Sequence, residues 1–206
     1  MNYNQQKRIL DITVALLLTI VFLPIWIIVP IMIYLDSGLP ILFKHKRVGL
    51  DGKEFELFKF RSMIPNADEI LHKHNKMLLK KFKQGDWKIE NDPRITKLGK
   101  ALRSLTIDEF PQLYNVIRGE MSMVGPRAYV KKELEEQTKK YPETKQYKEL
   151  ILSVKPGITG PWQTSGRNEV PFNTRAQMDA TYAQSSSIWQ DIKILFKTPQ
   201  AMISKW

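Results

Sequence analysis

The chain has 206 residues, with 32 Lys and Arg against 21 Asp and Glu, so its net charge is +11. It is long enough for one domain with its own core, and its charge points to anionic partners: phosphates, nucleic acid or an acidic membrane surface. It has no cysteine, which excludes disulfides, thiolate metal sites and a Cys nucleophile.

Ile12 to Leu35 is apolar apart from Thr13, Thr19 and the Tyr34 hydroxyl. A straight helix of this length would measure roughly 36 Å, enough to cross a hydrocarbon core of about 30 Å. The run exceeds the apolar part of a secretory signal, and no small-x-small cleavage site follows it cleanly. Pro24 at its centre and Pro30 beyond each remove a helical hydrogen bond. The flanks are basic on both sides, Lys7 and Arg8 before, Lys44, Lys46 and Arg47 after, so the positive-inside rule gives a span no clear orientation and would prefer both ends in the cytoplasm. A helix bent at Pro24 that enters one leaflet and returns meets both constraints and is the preferred reading; a kinked span is the alternative.

Pro40 to Ser62 alternates as a hairpin with Gly49–Lys53 at its turn, and its second strand carries Lys59 and Arg61 on one face. So close to the membrane segment, this basic stripe suits phosphate or headgroups. The spacing of Ile70, Leu71, Met77, Leu78 and Phe82 predicts one amphipathic helix over 67–84. His72 and His74 do not share a helical face and are not read as a metal site. Thr96 to Ser104 is expected as a short helix carrying Lys97, Lys100 and Arg103.

Leu105 to Val116 then sets two adjacent carboxylates, Asp108 and Glu109, in what reads as the first turn of a helix. Thr106 and Glu109 fit a capping box; Pro111 argues instead for Asp108 as N-cap. Either places the pair at the positive end of the helix dipole, which favours the ionised form. Capping alone would account for such a pair in isolation. Gly119 is expected to cap that helix, and Gly125–Pro126 to present Arg127 on a stiff turn. Lys131–Leu152 reads as solvated helices broken near Pro142. Lys155–Pro161 and Ser165–Asn168, with Arg167, read as a Gly/Pro-rich loop of the kind that carries sites. Ile188 to Trp206 has Trp189, Ile192, Leu195 and Phe196 on one side, as an interfacial helix does. No Walker A, G-x-G-x-x-G, G-x-S-x-G or H-E-x-x-H pattern is present.

Asp108-Glu109 with Gln112-Leu113-Tyr114-Asn115-Val116, followed by Gly119-Glu120-Met121-Ser122-Met123-Val124-Gly125-Pro126-Arg127, resembles the bacterial sugar transferases. These are monotopic phosphoglycosyl transferases that load a sugar phosphate onto polyprenyl phosphate. The resemblance extends to Lys7-Arg8-Ile9-Leu10-Asp11, Arg47-Val48-Gly49, Phe58–Met63, Asp92–Thr96 and Lys155–Gly160. The chain departs from the family at Leu23-Pro24, where Ser-Pro is frequent, and at Ala128, where a second proline is usual.

The resemblance implies an α+β fold, mainly helical with a small hairpin. A membrane-embedded re-entrant helix would occupy 1–40, and a catalytic domain 41–206 would sit on the cytoplasmic face of the inner membrane. The length matches the short, catalytic-domain-only members. It implies transfer of a sugar 1-phosphate from a UDP-sugar to polyprenyl phosphate with release of UMP, in surface-glycan or exopolysaccharide assembly. Asp108 would be the nucleophile and also a ligand of Mg²⁺, with Glu109 in support. Arg127, Arg103, Lys59, Arg61 and Arg167 would bind substrate. Nucleic acid is not among the expected partners, and homo-oligomerisation is left open. The rival reading is a membrane-anchored basic protein that binds nucleic acid or anionic lipid without catalysis. A membrane-bound hydrolase using the same aspartate is a third.

Overall fold

The computed structural model describes every residue except Asp86, Lys88, Glu90, Arg167, Asn168 and 203–206. The apolar stretch forms two helices, α1 (Tyr3–Val21) and α2 (Leu23–Ser37), bent by 63°. A capping box starts α1: Gln5 N–H donates to Asn2 Oδ1 at 3.0 Å, and Asn2 N–H to Gln5 Oε1 at 3.2 Å. The break falls at Phe22, two residues ahead of Pro24. Pro24 sits in the first turn of α2, where its missing N–H has no helical acceptor and its ring stops α1 from running on. Pro30 is accommodated inside α2.

No single described helix is long and apolar enough to cross a membrane; the bent pair together has that length and composition. Only one side of the pair packs inward, through Asp11, Ala15, Val29 and Ile33. Leu17, Ile20, Ile27, Ile28, Ile31 and Leu35 remain exposed, Leu35 at 77%. An apolar face of this extent with no protein cover has the form of a re-entrant, interfacial anchor.

Both ends of the anchor are fastened to one body. Asp11 accepts hydrogen bonds from Ser122 Oγ (2.8 Å) and Met123 N–H (2.9 Å). Lys7 donates to Val124 O, Tyr182 Oη and Asp191 Oδ2, and Arg8 to the carbonyls of Val116 and Ile117. These two basic residues, read from sequence as a flank facing the cytoplasm, are engaged with the protein itself. Arg8 holds the last carbonyls of a helix, which lack intrahelical donors.

The hairpin pairs β1 (Leu42–Val48) with β2 (Glu54–Phe60) antiparallel, in a register running from Leu42 opposite Phe60 to Val48 opposite Glu54. Asp51 (φ 56°) and Gly52 (φ 74°) turn the chain between them. The single helix expected over 67–84 is instead three pieces: short turns at Ala67–Glu69 and Ile70–His74, then α3 (Lys76–Gln84). Asn75 causes the division. Its backbone leaves the helical region (φ −134°, ψ 84°), and its side chain caps α3 by accepting from Leu78 N–H at 2.9 Å. Thr96 caps α4 (Lys97–Ser104) through Gly99 N–H at 2.9 Å. Gly99 is required because a Cβ there would overlap the Ser62 carbonyl.

After the acidic turn come α5 (Gln112–Arg118), capped by Gly119 at φ 81°, and β3 (Ser122–Val124). Next follow α6 (Lys131–Lys140), a 3₁₀ turn from Pro142, and α7 (Tyr147–Leu152). Within the stretch read as loop, Gly157–Thr159 forms β4, parallel to β3, with Ser122 opposite Gly157 and Val124 opposite Thr159. Helices α8 (Phe172–Ser185) and α9 (Ile188–Met202) complete the described chain.

The main core gathers Ala15 of α1, Leu57, Leu113, Val116, Met121, Met123, Tyr182 and Ile194. On α9 the face toward the protein holds Asp191 and Ile194, while Trp189 and Phe196 are exposed. A buried aspartate was not expected there; Tyr182 Oη (2.6 Å), Lys7 Nζ (2.9 Å) and Tyr3 Oη (3.1 Å) satisfy it.

Candidate active site

Residues 105–112 do not form the capped helix start that the sequence suggests. Thr106 adopts a left-handed conformation (φ 59°) and makes no side-chain cap; its Oγ1 donates to Met202 O at 2.9 Å. Ile107–Glu109 is a separate 3₁₀ turn, and α5 starts only after Pro111. Neither the Thr106–Glu109 capping box nor an Asp108 N-cap is present.

The electrostatic consequence also differs from the expectation. A single turn carries little dipole, and burial dominates: Asp108 is 6% exposed. Desolvation pushes its carboxyl up to about 6, with Lys59 and Arg103 opposing and Glu109 adding to the rise. Asp108 is therefore ionised at neutral pH, but with a basicity well above that of a surface aspartate.

Asp108 lines a cleft of about 290 Å³ together with Glu109, Lys59, Arg103 and Arg127. Lys59 Nζ donates to Glu109 Oε1 at 2.5 Å. Arg103 approaches from α4 and is steadied by its Nε–H bond to Ser62 Oγ at 2.8 Å. Arg127 enters from the turn after β3, with its backbone N–H bonded to Asp179 Oδ2 at 3.1 Å and its guanidinium 5.5 Å from the Trp162 ring centre. The close approach of Gly125 to the backbone of Lys155–Gly157 leaves no room for a Cβ and fixes that turn.

Arg61 is placed elsewhere. It is 6% exposed, and its Nη2 donates to Ser37 O, Ser37 Oγ and Gly38 O at 2.7–2.8 Å. Just beyond β2, Arg61 caps the C-terminus of α2, where carbonyls lack donors. Arg167 lies outside the described residues.

Several residues at the cleft carried no assigned role in the sequence. Arg47 reaches it from β1, bonded to Ala128 O at 3.0 Å. Glu133 lies 3.7 Å from Arg47 and 3.9 Å from Arg127. Arg94 makes a two-pronged pair with Asp92 (2.9 and 2.6 Å) and also holds Ala67 O, which fixes the 64–67 segment at the rim. Trp162 meets a second guanidinium, that of Arg175, at 4.6 Å from its ring centre. The Arg47-Val48-Gly49 and Asp92-Pro93-Arg94 motifs were the available signals for three of them. His72, set aside as a ligand, also lines the cleft. Among the described residues no cluster of three or more His, Cys, Asp or Glu is suited to a metal ion.

On the other side of the acidic turn an apolar groove of about 340 Å³ runs between α1 and α9. Val14, Leu18, Phe110, Leu113 and Leu195 line it, and Thr106 and Glu109 border both groove and cleft. Glu109 is thus reached both from a cleft lined by charged groups of either sign and from an apolar groove beside the anchor helices, while Asp108 opens onto the cleft. A protein so built can bring a water-soluble anion and an apolar ligand to one carboxylate turn.

The sequence pattern of the bacterial sugar transferases matches residues 2–205, and the chain belongs to that family. It is 43% identical over 194 residues to a UDP-galactose-lipid carrier transferase of Erwinia amylovora, covering 93% of this chain and 39% of that protein. It is 40% identical over 201 residues to an undecaprenyl-phosphate galactose phosphotransferase of Salmonella typhimurium, covering 97% and 40%. With the exopolysaccharide production protein ExoY of Sinorhizobium fredii it shares 40% identity over 200 residues, covering 95% and 84%. The chain spans about two fifths of the length of the first two relatives and most of the third.

Proposed function

We propose that this chain transfers a sugar 1-phosphate from a UDP-sugar to polyprenyl phosphate at the cytoplasmic face of a bacterial membrane. The observation that carries the reading is the placement of the acidic turn, with Asp108 on the charged cleft and Glu109 bordering both that cleft and the apolar groove. The relatives, which include galactose and glucose phosphotransferases acting on undecaprenyl phosphate, agree with it and make those two sugars the first to test.

An Asp108 carboxylate oxygen attacks the sugar-proximal phosphorus of the UDP-sugar. The P–O bond to UMP breaks, UMP departs, and an aspartyl phosphosugar remains. A phosphate oxygen of the lipid then attacks the same phosphorus, the bond to Asp108 breaks, and polyprenyl-diphosphate-sugar leaves with the carboxylate restored. Burial makes Asp108 a better nucleophile by withholding water from it, while its charge is retained at neutral pH. Lys59, Arg103 and Arg127 offset the charge of the approaching phosphates, and most of the rate comes from holding the partners in line.

Mg²⁺ fits this residue set in its usual mode, one or two carboxylates completed by substrate phosphates and water, which needs no cluster of protein ligands. Asp108, with Glu109 adjacent, would hold it, and it would neutralise diphosphate charge.

The rival reading, a basic membrane-bound protein without catalysis, gives no reason to bury the Asp108 carboxylate beside Lys59 and Arg103. The test is UMP release by the membrane-reconstituted protein from a panel of UDP-sugars, with and without polyprenyl phosphate. Acceptor-dependent turnover with one or two sugars is expected; absence of UMP release from every donor would overturn the reading.

A further inference from the structure

Between the cleft and the groove lies a small alcove of about 70 Å³. It is far below the ~300 Å³ of the smallest ordinary ligand pockets, so it suits one chemical group and not a nucleotide or a sugar. It shares Arg47, Lys59, Glu109, Arg127 and Trp162 with the cleft, and Glu109, Ile158 and Gln163 with the apolar groove.

Four of the unpartnered buried polar atoms belong to residues on its wall: Arg47 Nε, Arg127 Nε, Trp162 Nε1 and Gln163 Oε1. Three are N–H donors, and half a turn of the Gln163 amide presents its NH₂ as a fourth. Trp162 is only 5% exposed, so water does not readily satisfy its N–H. A buried donor without a partner is costly, and several around one small space are the mark of a site for a group that supplies acceptors.

The charges agree. Lys59 is matched by Glu109 at 2.5 Å, whereas Arg47 and Arg127 share the single carboxylate of Glu133 at 3.7 and 3.9 Å. On the wall itself Arg47, Lys59 and Arg127 stand against one carboxylate, that of Glu109, and that too favours an anion.

We infer that the alcove binds the terminal phosphate of the lipid acceptor, through Arg47, Arg127, Trp162 and Gln163, while the prenyl chain lies in the groove between α1 and α9. This rests on the function proposed above and adds where the acceptor is held. A phosphate could also come from the UDP-sugar. The position favours the lipid: Gln163 and Ile158 border the groove and not the cleft, whereas Asp108 and Arg103 border the cleft and not the alcove. The acceptor phosphate then sits beside Glu109, one residue along the chain from the phosphosugar on Asp108.

The two half-reactions separate the sources. Gln163→Glu, close to isosteric, sets a like charge against the bound phosphate; Trp162→Phe keeps the ring and removes one N–H. Each variant is incubated with radiolabelled UDP-sugar without lipid, and UMP release and label on the protein are measured. Polyprenyl phosphate is then titrated into the labelled enzyme. The acceptor concentration for half-maximal transfer should rise about tenfold or more in each variant, as for the loss of one charge-assisted hydrogen bond, while labelling of Gln163→Glu, whose site lies outside the cleft lining, stays within about twofold of wild type. The first half-reaction also counts correctly folded protein. An unchanged acceptor dependence would overturn the inference. Labelling lost with unfolding unchanged would assign the alcove to the donor. Failure of the wild-type protein to release UMP at all would instead sink the underlying reading.

Discussion

Lys59 Nζ lies 2.5 Å from Glu109 Oε1, and this ion pair forms the wall next to the buried carboxyl of Asp108. Lys59 therefore does two things at once: it quiets the like charge beside Asp108, and it favours Asp108 ionisation directly. With Asp108 pushed up to about 6, UMP release should rise with pH through that region and level off above pH 7. Lys59→Met removes the favourable charge and leaves Glu109 unopposed, so the midpoint should move to higher pH. A rate profile measured from pH 5 to 8.5 that does not move would show that Lys59 acts only on the substrate.

Arg61 gives the opposite kind of expectation. Its three hydrogen bonds all go to the end of α2, so Arg61→Met should destabilise the junction between anchor and body. A loss of about 2–4 kcal/mol would lower the unfolding midpoint by several degrees. Labelling per folded molecule should change little. A raised donor requirement with an unchanged midpoint would return Arg61 to the substrate.

These two residues also show what the sequence could and could not reveal. Alternation put Lys59 and Arg61 on one strand face, but the Arg61 side chain goes to the end of α2, and nothing local announces that partner. The bent anchor, the hairpin, the Thr96 helix and the break at Pro142 were legible because Pro, Gly and caps act within a few residues. The β3–β4 pair was not, since three-residue strands are too short to display a period. Asp11 and the inward use of Lys7 and Arg8 were also hidden, because their partners lie over a hundred residues away, as do Tyr3 and Lys7 from Asp191. The acidic turn was found, but its environment was misjudged: a helix dipole was expected where burial governs.

Arg127 tests the anion grip. Its guanidinium lies by the Trp162 ring and carries a buried Nε–H that makes no hydrogen bond to the protein. Lysine retains the charge but neither the planar fork nor the stacking. Arg127→Lys should lower turnover about tenfold or more with the fold intact, as judged by an unchanged unfolding midpoint. Wild-type turnover would exclude a specific phosphate contact there.

The anchor topology follows from its two fastened ends. Lys7, Arg8 and Asp11 bind the body at one end of the bent pair, and Arg61 binds it at the other. Both ends must then face the same compartment. The absence of native cysteine makes Asn4→Cys and Lys46→Cys clean reporters. In intact cells both should be shielded from an impermeant thiol reagent and both should react after lysis. Labelling of only one in intact cells would mean that the pair spans the bilayer.

The central claim is that Asp108 forms the covalent bond. Asn in its place keeps the shape and removes a buried charge. Because Asp108 is raised from 3.8 to about 6, its ionisation costs stability, absent below about pH 4 and full above about pH 6. Asp108→Asn should thus unfold no lower than wild type at pH 7.5 while losing turnover. The most direct measurement is incubation with radiolabelled UDP-sugar in the absence of lipid acceptor, followed by peptide mapping. Label on Asp108, released on adding polyprenyl phosphate and absent from Asp108→Asn, is the expected result. Label on Glu109, or full turnover with no labelled protein at any time, would contradict it.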